Sequence, residues 1–141
     1  MVANAEEKVH VSFRLPRSLV ASIDEIAERT GGSRAHAAEV LLDEGVRSTR
    51  HPGIVFRPGP AGRRAAVVGG PDVWEVVSVW RENDSDIRTT ADYLSLPLVV
   101  VTSALDYYHW YSAEVDDWIR RNDAEARRVE TRSRQAAAPP R

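Results

Sequence analysis

The 141-residue chain contains no cysteine, which excludes a disulfide framework, a thiol nucleophile and any cysteine-ligated metal. Lysine is nearly as scarce, with Lys8 the one lysine among nineteen basic residues. The positive charge is therefore arginine, the side chain that forks onto phosphate and guanine. Long apolar runs are also missing: L-P-L-V-V-V, residues 96–101, is the longest and too short to span a bilayer. The start M-V-A-N-A-E-E-K lacks the apolar core of a signal peptide. A cytoplasmic, nucleoid-associated protein without a membrane partner is expected. Charge of one sign is absent on average, since the net charge is −2, so any nucleic-acid contact must come from a local basic face.

Catalytic constellations are wanting too. His10, His36, His51 and His109 fall in different elements without metal-ligand spacing, and no glycine-rich phosphate loop precedes a helix. The pairs Asp72/Glu75 and Asp116/Asp117 fit helix caps and helix surface better than acid–base dyads. The expectation is a non-enzyme without metal or cofactor.

What is present begins with V-H-V-S-F-R-L-P at residues 9–16. Val9, Val11, Phe13 and Leu15 alternate with His10, Ser12 and Arg14, the pattern of a strand with one buried face. No second strand follows closely. From Arg17 to about Thr30 the apolar residues Leu19, Ile23, Ile26 and Ala27 lie on one helical stripe. Gly31-Gly32 ends that helix. Ser33 caps a second, running to about Val46 with Ala38, Leu41, Leu42 and Gly45 on one side. The segment 48–53, S-T-R-H-P-G, is a linker by composition.

A strand–helix–helix unit of some forty residues is too small to hold a core alone. Two copies solve both problems. Their strands pair antiparallel across a twofold axis, and the helices cover the apolar face formed by Val11, Phe13, Leu15, Ile23 and Leu41. The other face then carries His10, Ser12 and Arg14 from each chain, and a two-stranded ribbon fits the DNA major groove. The alternative is that residues 9–15 add a third strand to a hairpin further on.

Residues 8–48 resemble the ribbon-helix-helix DNA-binding proteins of the Arc, MetJ and CopG type, through V-H-V-S-F-R-L-P, S-L-V-A-S-I-D-E-I-A and G-G-S-R. The resemblance implies an intertwined homodimer, with higher-order assembly on DNA open, in which His10, Ser12 and Arg14 contact operator bases. It places a phosphate at Ser33 and Arg34, where free helix N–H groups independently favour an anion. Arg17 and Lys8 are further candidates for phosphate contact.

Beyond the linker, G-I-V-F-R and R-R-A-A-V-V flank a Gly/Pro turn, predicting a hairpin. Helices are expected over 73–82, capped by Asp72 with Glu75, and over 87–94, capped by Asp86. From Leu98 the β-branched run V-V-V-T permits a strand, but Leu98, Val101, Leu105 and Tyr108 keep helical spacing after Pro97, which favours helix. Ser112 is expected to cap a last helix ending near Arg120, with 120–141 an Arg-rich, largely disordered tail. The predicted fold is mainly α with short β: a disordered 1–7, a ribbon-helix-helix unit over 8–48, a winged-helix-like helical unit with a hairpin over 49–119, and the tail. The helix 97–111 would be the reading helix of a helix-turn-helix, yet it carries no Lys or Arg and bears Asp106, so it gains no counterion release on DNA. Its aromatics suit a core or a protein interface.

This second half resembles the small C-terminal domain of VapB-type antitoxins, through Pro71, Trp74, Glu75, Val76 and Tyr107, Tyr108, Glu114, Val115, Asp116; its turn P-G-P-A-G-R-R departs from the usual one. The resemblance implies a PIN-like ribonuclease toxin as partner, whose carboxylate-lined cavity Arg120, Arg121, Arg127 and Arg128 would neutralise. Two readings result: an antitoxin that represses its own operon, or a free-standing repressor whose second domain serves oligomerisation or sensing.

Overall fold

In a computed structural model that describes residues 6–139, the chain divides into two compact units, Met1–Pro52 and Gly53–Arg141. It is mainly helical with one two-stranded antiparallel sheet. Among the described residues, no helix is long and apolar enough to cross a membrane. The disorder expected of residues 1–7 falls mostly outside the described residues.

In the first unit residues 6–16 form an irregular arm, not the strand expected over 9–15, because within one chain no neighbouring strand among the described residues is there to pair with it. The arm leads into α1 (Arg17–Thr30) and α2 (Arg34–Arg50). Pro16 precedes the first turn of α1, where a residue without an N–H costs nothing. Gly31 ends α1 in the left-handed region at φ 72°, and the N–H of Gly32 reaches back to the Ala27 carbonyl at 3.0 Å. A residue with a Cβ is strained there. Ser33 then caps α2, its Oγ accepting from the His36 N–H at 3.1 Å. The helix runs four residues past the expected end at Val46, through the first part of the segment expected as a linker, and the Thr49 hydroxyl is accommodated in it by donating to the Gly45 carbonyl at 2.7 Å. The core between these helices is Ile23, Ala27 and Ala37, with Ala38 packed against it.

The second unit opens with the hairpin β1 (Ile54–Arg57) and β2 (Arg64–Val67), in the register Ile54↔Val67 to Arg57↔Arg64. This sheet holds only these two strands among the described residues, so residues 9–15 do not extend it. Four helices follow: α3 (Val73–Glu82), α4 (Ile87–Leu94), α5 (Leu98–Trp110) and α6 (Ser112–Ala137). Helix α3 packs against α4, α5, α6 and β2, and α5 also covers the hairpin. Ile54, Val67, Val73, Val76, Val77, Val101, Ala104 and Tyr107 are buried where these elements meet.

Asp72 organises the entry to α3. Its backbone N–H donates to Glu75 at 3.2 Å in a capping box, while its carboxylate accepts from Trp74 Nε1 at 3.1 Å and from Arg64. At Gly59 in the hairpin turn an added Cβ would fall on the Arg64 guanidinium, so any larger residue there must displace that side chain from its place beside Asp72.

Two local expectations are corrected. Ser112 is the first residue of α6 and not its cap; Tyr111 occupies the cap position, held by its N–H on the Tyr107 carbonyl at 3.0 Å. Nor does α6 end near Arg120: it continues to Ala137. Ion pairs at helical spacing stand in for the missing apolar face, among them Arg121–Asp117 at 2.7 Å, Arg128–Glu125 at 3.6 Å and Arg134–Glu130.

Candidate nucleic-acid interface

The arm carries the residues expected to face bases. Val9, Val11, Phe13 and Leu15 are exposed, at 78, 68, 61 and 41% of their surface, although the sequence alternates them as a buried face. Between them, His10, Ser12 and Arg14 are exposed and make no side-chain hydrogen bond or ion pair among the described residues. No backbone hydrogen bond engages residues 9–15 among the described residues. Lys8 meets Glu39 of α2 at 3.2 Å, the one ion pair tying the arm to a helix among the described residues.

A second apolar surface lies on α2. Leu41, Leu42 and Val46 are exposed and line a shallow depression with Gly45, Thr49 and Arg50. Of the five residues expected in a dimer core, Ile23 is already buried within one chain, whereas Val11, Phe13, Leu15 and Leu41 remain open to solvent.

The helix starts share an unusual charge. Both α1 and α2 begin with arginine, Arg17 and Arg34, and neither has an acid in its first turn. Helix N-termini are positive and ordinarily attract Asp or Glu there. The N–H groups in the first turn of α2 have no acceptor inside the helix, and Ser33 satisfies only that of His36.

Arg34, expected to grip a phosphate, is engaged within the chain. Its Nε and Nη2 donate to the two Asp24 carboxylate oxygens at 2.7 and 2.8 Å. The hydrogen bond from Arg34 holds Asp24 below the usual carboxylate range, and the same bond raises Arg34 above its ordinary value. The pair joins residues ten apart, which no helical spacing rule brings together. Only the turn at Gly31-Gly32 makes them neighbours, so sequence periodicity gave no sign of it.

In the second unit α5 does not present a basic reading face. It buries Val101, Ala104 and Tyr107 and exposes Val99, Thr102, Asp106, His109 and Trp110. Tyr107 stacks at 4.6 Å from Tyr111 and edge-on to Phe56 at 6.4 Å, so this part of the aromatic cluster is core. The arginines expected to meet a toxin all lie on exposed α6. Arg120 and Arg121 pair with Asp117, and Arg121 also covers the Trp118 ring at 5.3 Å. Arg127 and Arg128 line a shallow groove with Thr131 and Arg132. The described residues contain no group of three or more His, Asp or Glu side chains able to hold a metal ion.

Compared with protein families, curated proteins and solved structures, the chain matches none of them.

Proposed function

We propose that this protein is a dimeric, sequence-specific DNA-binding repressor of ribbon-helix-helix type. The observation that carries the reading is the arm: four alternating apolar side chains in water beside an unpaired backbone. Burying each would contribute about 1.5–3 kcal/mol, and an unpaired strand edge invites pairing. A second copy supplies both needs, through the same strand and the exposed side of α2 around Leu41, Leu42 and Val46. Pairing the arms leaves His10, Ser12 and Arg14 on the outward face of the ribbon, with Arg14 placed to fork onto guanine. The first-turn N–H groups of α2, Arg17 and Lys8 then meet phosphates, which set position and not sequence.

In this reading the second unit is a winged-helix-like domain that serves a protein partner. Helix α6 favours the antitoxin form, because it offers six arginines against three acids between residues 120 and 137. An acidic ribonuclease cavity would fit that surface, with Arg120, Arg121, Arg127 and Arg128 in contact.

The test is an electrophoretic titration of the DNA upstream of its own gene with wild type and with Arg14→Ala. Losing one bidentate base contact should cost about 1–3 kcal/mol per site while binding to unrelated DNA stays constant. Equal operator affinity for the two proteins would refute the assignment. Co-purification with the product of an adjacent ribonuclease-like gene separates the antitoxin from a free-standing repressor.

A further inference from the structure

We infer that Arg34 is a positioning residue, which orients the start of α2 for phosphate by forking onto Asp24, and is not itself a phosphate ligand. The inference rests on the DNA-binding reading above. Its basis is the geometry of the turn. Two consecutive glycines, Gly31 in the left-handed region and Gly32, join α1 to α2, and glycine leaves the backbone freest to rotate. The small core of Ile23, Ala27 and Ala37 holds α2 against α1, and the Ser33 cap fixes the first turn of α2. The Asp24–Arg34 fork adds a directional constraint at the very start of α2, beyond the reach of that core. Two parallel bonds at 2.7 and 2.8 Å define a plane and a direction, which a single contact cannot.

The same geometry withdraws Arg34 from direct service. Its Nε–Nη2 edge is occupied, and its charge is matched by the carboxylate it touches. A neutralised arginine contributes little to counterion release on DNA. The backbone N–H groups of the first turn are untouched by the fork and remain the phosphate donors, with Arg34 setting where they point.

Lysine distinguishes the two roles, since it keeps the charge and serves phosphate well but cannot fork. The experiment measures operator affinity across a salt series for wild type, Arg34→Lys and Arg34→Gln, and for Arg34→Gln in the Asp24→Asn background. Thermal melting of each variant is followed in parallel. Both single variants should weaken binding about fivefold, the scale of an exposed ion pair, with the salt slope unchanged. In the Asp24→Asn background Arg34→Gln should add almost nothing. Wild-type affinity in Arg34→Lys overturns the inference, whether its melting temperature falls or not. So does a salt slope reduced by about 1 per protomer in Arg34→Gln, the mark of a lost phosphate contact, or an undiminished effect in the Asp24→Asn background. Failure of the wild type to retard the operator overturns the DNA reading itself, and is seen before any variant is compared.

Discussion

Tyr108 on α5 donates its hydroxyl proton to Asp116 on α6 at 3.0 Å. Arg81 from α3 donates to both groups and lies over the Tyr108 ring at 5.4 Å. Three helices are thus pinned at one point on the rim of the core. Burial opposes the charge on Arg81, but its bonds to Asp116 and Tyr108 outweigh that and raise its pKa. Burial first, and then the bond to Asp116, raises Tyr108 above the usual phenol range.

Arg81→Ala should therefore lower stability by about 1 kcal/mol, discounted because both charges are partly in solvent. In a domain of this size that is a fall of about 4–8 °C in melting temperature. Alkaline difference spectroscopy gives a second reading. A phenol with a raised folded pKa contributes stability that is complete below its unfolded pKa and lost as pH rises through the folded one. Asp116→Asn should bring Tyr108 back toward the ordinary phenol value; an unmoved tyrosine titration would contradict the assigned bond.

If the arm closes a dimer, Phe13→Ala should weaken self-association by about 3 kcal/mol per buried ring. Sedimentation equilibrium over a dilution series checks this, and Phe13→Asp should leave a monomer that fails to bind operator. A chain whose mass does not change under either substitution would mean that the exposed arm has another use.

The boundaries of α1, α3, α4 and α5 were legible because apolar spacing and start signals agree there: Pro16, Asp72, Asp86 and Pro97 each stand just before the first helical residue. The hairpin was legible from its glycines and prolines. The length of α6 was not, because a search for an apolar stripe passes over a helix held by Asp, Glu and Arg at spacings of three and four. Asp24–Arg34 was invisible for a different reason, being a contact created by the turn. For the arm, sequence gives the alternation, and exposure of Val9, Val11 and Phe13 within one chain gives its consequence.

Acid should loosen the second unit through Asp86. Its carboxylate accepts from the Thr89 N–H at 2.7 Å, the bond that most lowers its pKa. A carboxyl with a depressed folded pKa contributes stability that is complete above its unfolded pKa, near 4, and lost as pH falls through the folded value. Asp86→Ala should lower the melting temperature at neutral pH, as removal of a helix cap does. The gap between variant and wild-type melting temperatures should narrow as pH falls below about 4. A gap independent of pH would show that the cap works without its charge.

Truncation after Ile119 separates folding from partner binding. Ile119 is the last buried residue of α6, and every residue from 123 to 139 is exposed. A helix stretch without a buried face draws its order from its own ion pairs, each worth about 0.3–0.5 kcal/mol. The shortened chain should therefore keep its melting temperature within a few degrees while its far-ultraviolet helical signal falls by the lost turns. If α6 is the surface that meets a ribonuclease, the truncated chain should no longer inhibit it, yet should still bind operator DNA. Undiminished inhibition would remove Arg120, Arg121, Arg127 and Arg128 from the partner interface, and a collapsed melting temperature would show that the exposed turns support the core after all.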